Sequence, residues 1–135
     1  RDTLREFHVA RNTNGGGPVV ACFSYIESAE MFGCGAGYHH LYVDAAGNVC
    51  PCDLTPLSFG NCLEEPLAEI WRRMGRHFPL PRCKCVMSQA AHQIDPATDT
   101  LPLPPERSEA ICPPPDVHAD VPEVYEPVFR RRAAK

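Results

Sequence analysis

The spacing of the cysteines constrains this chain more than any other feature. Residues 32–52 read FGCGAGYHHLYVDAAGNVCPC. Cys34 stands among glycines, a strand-like run leads to a glycine turn, and Cys50 and Cys52 follow on either side of Pro51. A tight hairpin holds a thiol at each end on rigid backbone and carries both ends towards one point. An iron–sulfur cluster needs that arrangement, because cysteine thiolates hold its irons. Cys50 and Cys52 are two apart and share a strand face, so both are not assumed to be ligands and one can simply pack.

Eight cysteines in 135 residues would otherwise suggest a disulfide framework. No signal peptide is visible, and four of the eight are paired as CPC and CKC. Clustered metal ligands are therefore the better reading, and a cytoplasmic location is expected. No stretch is long and apolar enough to cross a membrane. A formal net charge of −4 offers no electrostatic footprint for nucleic acid. The chain opens on arginine, which suggests a fragment or a processed piece of something larger.

In chain order, Leu4 and Phe7 have helical spacing, and Asn12, Asn14 and Gly15–Gly17 end that helix. Val19–Ile26 is apolar and β-branched enough to predict a strand, with Cys22 as a small buried hydrophobe. Gly33, Gly35 and Gly37 would let backbone N–H groups approach a ligand sulfur at Cys34. Tyr38–Asp44 alternates like a strand, which would place His39 and His40 on opposite faces, so at most one could join a site. Gly47 is expected at positive φ in the hairpin connection, and Val49–Cys52 returns as the second strand. Leu54, Leu57 and Phe59 are expected to cover the site. A helix follows, with Pro66 at its first position, Leu67, Ile70, Trp71 and Met74 as its buried stripe, and Gly75 as its stop. Cys83 and Cys85 come after this helix, with enough chain to return to the hairpin and complete a four-thiolate set with Cys34 and Cys52. Nine of the fifteen prolines lie from Gln93 onward, which predicts an extended tail that drapes over a partner or stays disordered. Cys112 is a weaker ligand candidate there, and Arg130–Arg132 reads as a solvated basic end.

Cys34, twelve residues, Gly47, four residues and Cys52 together resemble the opening of the SPASM/Twitch domain. GNVCPC followed by FGNCLEEPLAEIW is similar to the same domain, whose helix ends in an isoleucine–tryptophan pair. SPASM/Twitch domains sit at the C-terminal end of radical S-adenosylmethionine enzymes and bind auxiliary 4Fe–4S clusters. The resemblance implies an upstream radical S-adenosylmethionine domain as partner. S-adenosylmethionine itself would bind there, because the radical-generating three-cysteine motif is absent from this sequence. It further implies a peptide or small-molecule substrate, and a cluster that passes electrons or positions substrate. Only one closely spaced late cysteine pair is present, which favours the single-cluster type. Cys50 and Cys62 fall where the family is usually apolar, so they are expected to pack.

The fold class expected is therefore α+β: a small β-hairpin plus one main helix around a metal cluster, with a long irregular proline-rich tail. Residues 1–31 would be a linker or the remnant of a preceding catalytic domain, 32–92 the cluster domain and 93–135 the tail. Four ligands would close the cluster, three would leave an iron open to substrate, and Cys50 or Cys112 could replace one of the set. The alternative is a structural zinc-binding module, built from the same cysteines, that mediates a peptide or protein interaction.

Overall fold

The computed structural model describes residues 2–14, 17–18, 20, 22–28, 31–113 and 121–125. Its architecture is α+β, with one two-stranded antiparallel hairpin among short helices. Helix α1 spans Asp2–Asn14, as the spacing of Leu4 and Phe7 predicts, and none of its residues is buried. It is tied back through Asn12, whose side chain donates to the Val20 carbonyl at 2.8 Å and accepts the Val20 N–H at 3.0 Å.

The strand expected over Val19–Ile26 is not found in its described part. Phe23–Ile26 forms a single helical turn, α2, and the N–H of Ile26 donates to the Cys22 carbonyl at 2.9 Å. Local bonding satisfies this backbone, so it needs no neighbouring strand. Cys22 is half-buried rather than buried. Val19, Ala21, Gly15 and Gly16 lie outside the described residues.

The hairpin is shorter than the alternation suggests. Strand β1 is Tyr42–Val43 and β2 is Val49–Cys50, with Tyr42 opposite Cys50 and Val43 opposite Val49. Tyr38 and His39 belong to a turn, because both of their N–H groups donate to the Gly35 carbonyl, at 3.0 and 2.8 Å. Gly47 takes φ 88°, in the left-handed region, as expected. Asp44 organises the connection: its carboxylate accepts the N–H of Ala46 and Asn48 and the Asn48 side-chain amide, each at 2.9 Å.

The segment after Cys52 lies along the other edge of β2. Val49 donates to the Gly60 carbonyl and Phe59 donates to the Val49 carbonyl, both at 2.8 Å. Leu57 and Phe59 are fully buried, but Leu54 is 74% exposed and covers nothing. Helix α3, Leu67–Gly75, begins just after Pro66 and ends at Gly75. It buries Ile70 and Met74 only; Leu67 and Trp71 are 43% and 37% exposed. The expected core role of Trp71 is therefore wrong. Ile70 and Met74 are four residues apart and define the buried line, and a nine-residue helix resting on a small core has room for one such line. Arg73, on the flank, donates to the Phe59 carbonyl and pairs with Glu65, which clamps α3 to the loop before it.

The described part of the proline-rich segment packs on this core. Leu103 forms a parallel bridge with Leu57, and its N–H donates to the Pro56 carbonyl at 2.7 Å. After α4, Met87–Ala90, helix α5, Pro105–Ile111, starts on a proline and buries Ser108 and Ile111. Leu103, Ile111 and Cys112 join Val49, Leu57, Phe59, Ile70, Met74, Phe78 and Val86 in one apolar cluster. Ile94 packs against the same cluster, whereas Leu101 and Val124 are exposed. The remaining tail residues, 114–120 and 126–135, including Arg130–Arg132, lie outside the described residues.

Truncating Ile70 to alanine should cost about 2–5 kcal/mol. Trp71→Ala should cost less than Ile70→Ala, because Trp71 is 37% exposed and Ile70 is fully buried. Chemical melts of the two variants check this, and equal losses would contradict the burial pattern.

The Asp44 carboxyl is held below the usual carboxylate range, first by the Asn48 side-chain amide and then by backbone N–H groups. Its folded value is depressed, so its contribution is complete above the unfolded value of about 3.9 and is lost as pH falls through the folded value. Asp44→Ala should melt below the parent at neutral pH, and the gap should narrow as pH falls from ~4 through the depressed folded value. A gap that persists in acid would contradict the capping role.

Candidate metal centre

Cys34 is placed by an antiparallel bridge to Arg82. Its N–H donates to the Arg82 carbonyl at 2.6 Å, and the Arg82 N–H donates back to the Cys34 carbonyl at 3.1 Å. The bridge sets Cys34 beside the start of Cys83–Cys85. Gly33 makes it possible: it sits at φ 63°, and a Cβ there would run into the Arg82 carbonyl oxygen. The Arg82 side chain secures the far side. Its Nη2 donates to the carbonyls of His77 and Pro113, at 2.7 and 3.1 Å, and its guanidinium lies 5.1 Å from the Phe78 ring centre.

Cys52 comes to the same place along the hairpin. Pro51 follows β2 directly, and its carbonyl accepts the Gly37 N–H at 3.0 Å, which links the two cysteine loops. The sulfurs of Cys34, Cys52 and Cys85 then feel one another's charge: Cys85 acts on Cys34 and Cys52, and Cys34 acts on Cys52. The backbone bridge at Arg82 thus brings the Cys34 loop next to the segment that carries Cys83 and Cys85. Cys83 lies two residues before Cys85 and is half-buried, whereas Cys85 is exposed.

Burial pushes the Cys34 thiol up, opposed by N–H groups of Ala36 and Val86 that donate to its sulfur; Cys85 and Glu27 add to the rise. Burial likewise pushes Cys52 up, opposed by the Leu54 N–H and reinforced by Cys34, Asp53 and Cys85. Cys50 and Cys112 are pushed up to about 11 by burial, and no backbone N–H offsets it. Backbone N–H groups aimed at sulfur stabilise the thiolate form, which is the form that binds metal. Cys34 and Cys52 have this support, while Cys50 and Cys112 are core thiols, Cys112 within the apolar cluster itself.

The donor set fits an iron–sulfur cluster. A single zinc would require its sulfurs within about 2.3 Å of one point. No group of three or more His, Cys, Asp or Glu side chains among the described residues is gathered that tightly. His40 is exposed, and His39 is hydrogen-bonded through Nε2 to the Tyr125 hydroxyl.

Some of the site was missed by sequence reasoning. The N–H donors come from Ala36, Leu54 and Val86, and only Ala36 sits among the glycines expected to supply them. A main-chain donor leaves no trace in residue type. Arg82 carried a weak signal, since it directly precedes CKC, but its bridge to Cys34 is a tertiary contact.

Comparison with family models matches residues 34–86 to SPASM, described as an iron–sulfur cluster-binding domain. No curated protein and no solved structure matches the chain. No helix among the described residues is long and apolar enough to cross a membrane.

Gly33→Ala should break the bridge to Arg82. It forces a left-handed side chain, at about 1–2 kcal/mol, in addition to the backbone collision. Melting temperature and bound iron should fall together. Gly35→Ala should be milder, because its Cβ would meet the side chain of the exposed His39 rather than backbone. Equal iron retention in Gly33→Ala and the parent would refute the role of the bridge.

Proposed function

We propose, from the match of residues 34–86 to the SPASM iron–sulfur cluster-binding domain, that this chain is the auxiliary-cluster part of a radical S-adenosylmethionine enzyme and holds a 4Fe–4S cluster. Cys34, Cys52 and Cys85, with Cys83 as the fourth, would hold it. The observation that carries this reading is the backbone bridge between Cys34 and Arg82, which sets the early cysteine beside Cys83–Cys85 within the matched residues. When bound, such a cluster takes up and releases single electrons at a potential tuned by hydrogen bonds to its sulfurs.

The rest of the chemistry belongs to the chain's own residues. The N–H groups of Ala36 and Val86 favour the Cys34 thiolate, and that of Leu54 favours Cys52. The Cys34–Arg82 bridge holds the early and late cysteines in register. Radical generation and S-adenosylmethionine binding would belong to an upstream domain in the same enzyme. A peptide or small molecule would be the substrate, with this domain relaying an electron from it or positioning it, in the cytoplasm. Binding the cluster also contributes folding free energy in a core this small.

Anaerobic purification should give a brown protein with about four irons and four sulfides per chain. Cys34→Ser, Cys52→Ser and Cys85→Ser should each bleach it, while Cys50→Ala and Cys112→Ala should stay brown. A colourless protein with stoichiometric zinc would sink the proposal in favour of a structural zinc module. Within the full enzyme, Cys52→Ser should abolish turnover yet leave substrate binding in place if the cluster works in electron transfer. Lost binding with turnover intact at saturating substrate would instead assign it to docking.

A further inference from the structure

The last described residues form a short strap across the Cys34 loop. Pro122 is fully buried, and its Cγ would lie 2.6 Å from a Cβ placed on Gly33, so its ring rests directly on the backbone beside Cys34. The single 3₁₀ turn Glu123–Tyr125 is closed by the Tyr125 N–H donating to the Pro122 carbonyl at 2.9 Å. That turn sets the Tyr125 ring 6.4 Å from those of Phe32 and Tyr38 and 5.3 Å from that of His39. The Tyr125 hydroxyl and His39 Nε2 are hydrogen-bonded.

These contacts bracket Cys34. Phe32 and Gly33 precede it, Tyr38 and His39 follow it, and Tyr125 is only 8% exposed as a result. Tyr125 packs outside the apolar cluster built on β2, α3 and α5. The rings it packs against, those of Phe32, Tyr38 and His39, flank Cys34 in the chain, so what it covers is the cysteine loop.

We propose that residues 121–125 are a solvent shield over the Cys34 side of the cluster, latched by the hydrogen bond between Tyr125 and His39. The proposal rests on the reading of residues 34–86 as the cluster holder. Its physical basis is that the apolar shell around a metal site controls access of water to it, and access governs loss of the metal. Iron held by a thiolate is lost when water, oxygen or a chelator reaches it. A buried aromatic ring and a proline laid over the loop that carries one ligand slow that approach.

The test uses the full chain, reconstituted anaerobically, with EDTA as the iron chelator and the cluster absorbance as the readout. Tyr125→Ala should lose its cluster at least several-fold faster than the parent. Tyr125→Phe keeps the ring and loses the hydroxyl, so it should be intermediate, as should His39→Ala. The double variant of these last two should be no faster than the faster single, because both remove one latch. Thermal melting of the loaded proteins should move little, which separates shielding from support of the fold. If Tyr125→Ala fills with cluster and loses it at the parent rate, the shield is refuted. If Tyr125→Ala takes up no cluster, the rates of Tyr125→Phe and His39→Ala decide, with parent-like rates refuting the latch. A parent chain that takes up no iron would bring down the cluster reading itself and the shield with it.

Discussion

The site depends on one backbone pairing, the bridge between Cys34 and Arg82. The two residues are 48 positions apart in the sequence, and closing such a loop carries an entropic cost that must be met locally. Two main-chain hydrogen bonds meet part of it, and the Arg82 side chain adds two carbonyl contacts and a ring contact. The hairpin supplies Cys52 independently, by β-pairing that is local in sequence. The site is therefore assembled from a local half and a long-range half, and the bridge joins them.

The eight cysteines fall into classes once their surroundings are compared. Cys50 and Cys112 are buried and lack backbone N–H support, so they behave as small apolar residues. Cys34 and Cys52 are also raised by burial, but N–H groups partly offset it. Residue type alone cannot draw this line. Cys50 and Cys52 lie two positions apart, yet only Cys52 reaches past the end of β2 to where the chain turns and the Leu54 N–H becomes available.

The described part of the proline-rich tail contributes more order than its composition implies. Proline limits the backbone to extended or helix-starting conformations, which here suit a ledge and then a helix start. Pro104 and Pro105 open α5, and Leu103, just before them, fills the space over Leu57. The exposed ridge of Leu67 and Trp71 on α3 is the reverse case. Its helical spacing is that of a buried stripe, but neither residue is covered among the described residues, because the core ends at the Ile70–Met74 line.

The α+β class, the hairpin turn at Gly47, the stop at Gly75 and the cysteine pattern were legible in the residues. Each rests on local chemistry: positive φ suits glycine, a nine-residue helix needs a terminator, and closely spaced cysteine pairs are visible in the chain itself. Where a segment's partner lies far along the chain, the sequence was silent or misleading. The turn at Phe23–Ile26, the exposure of Trp71 and Leu54, and the return of Leu103 and Ile111 to the core were settled by available neighbours rather than by propensity. The same reason explains why the sequence alone could nominate Cys34, Cys52, Cys83 and Cys85 but not show which of them meet. Proximity across 30 to 50 residues depends on main-chain hydrogen bonds that every residue type except proline can make, and only the folded chain decides which are made.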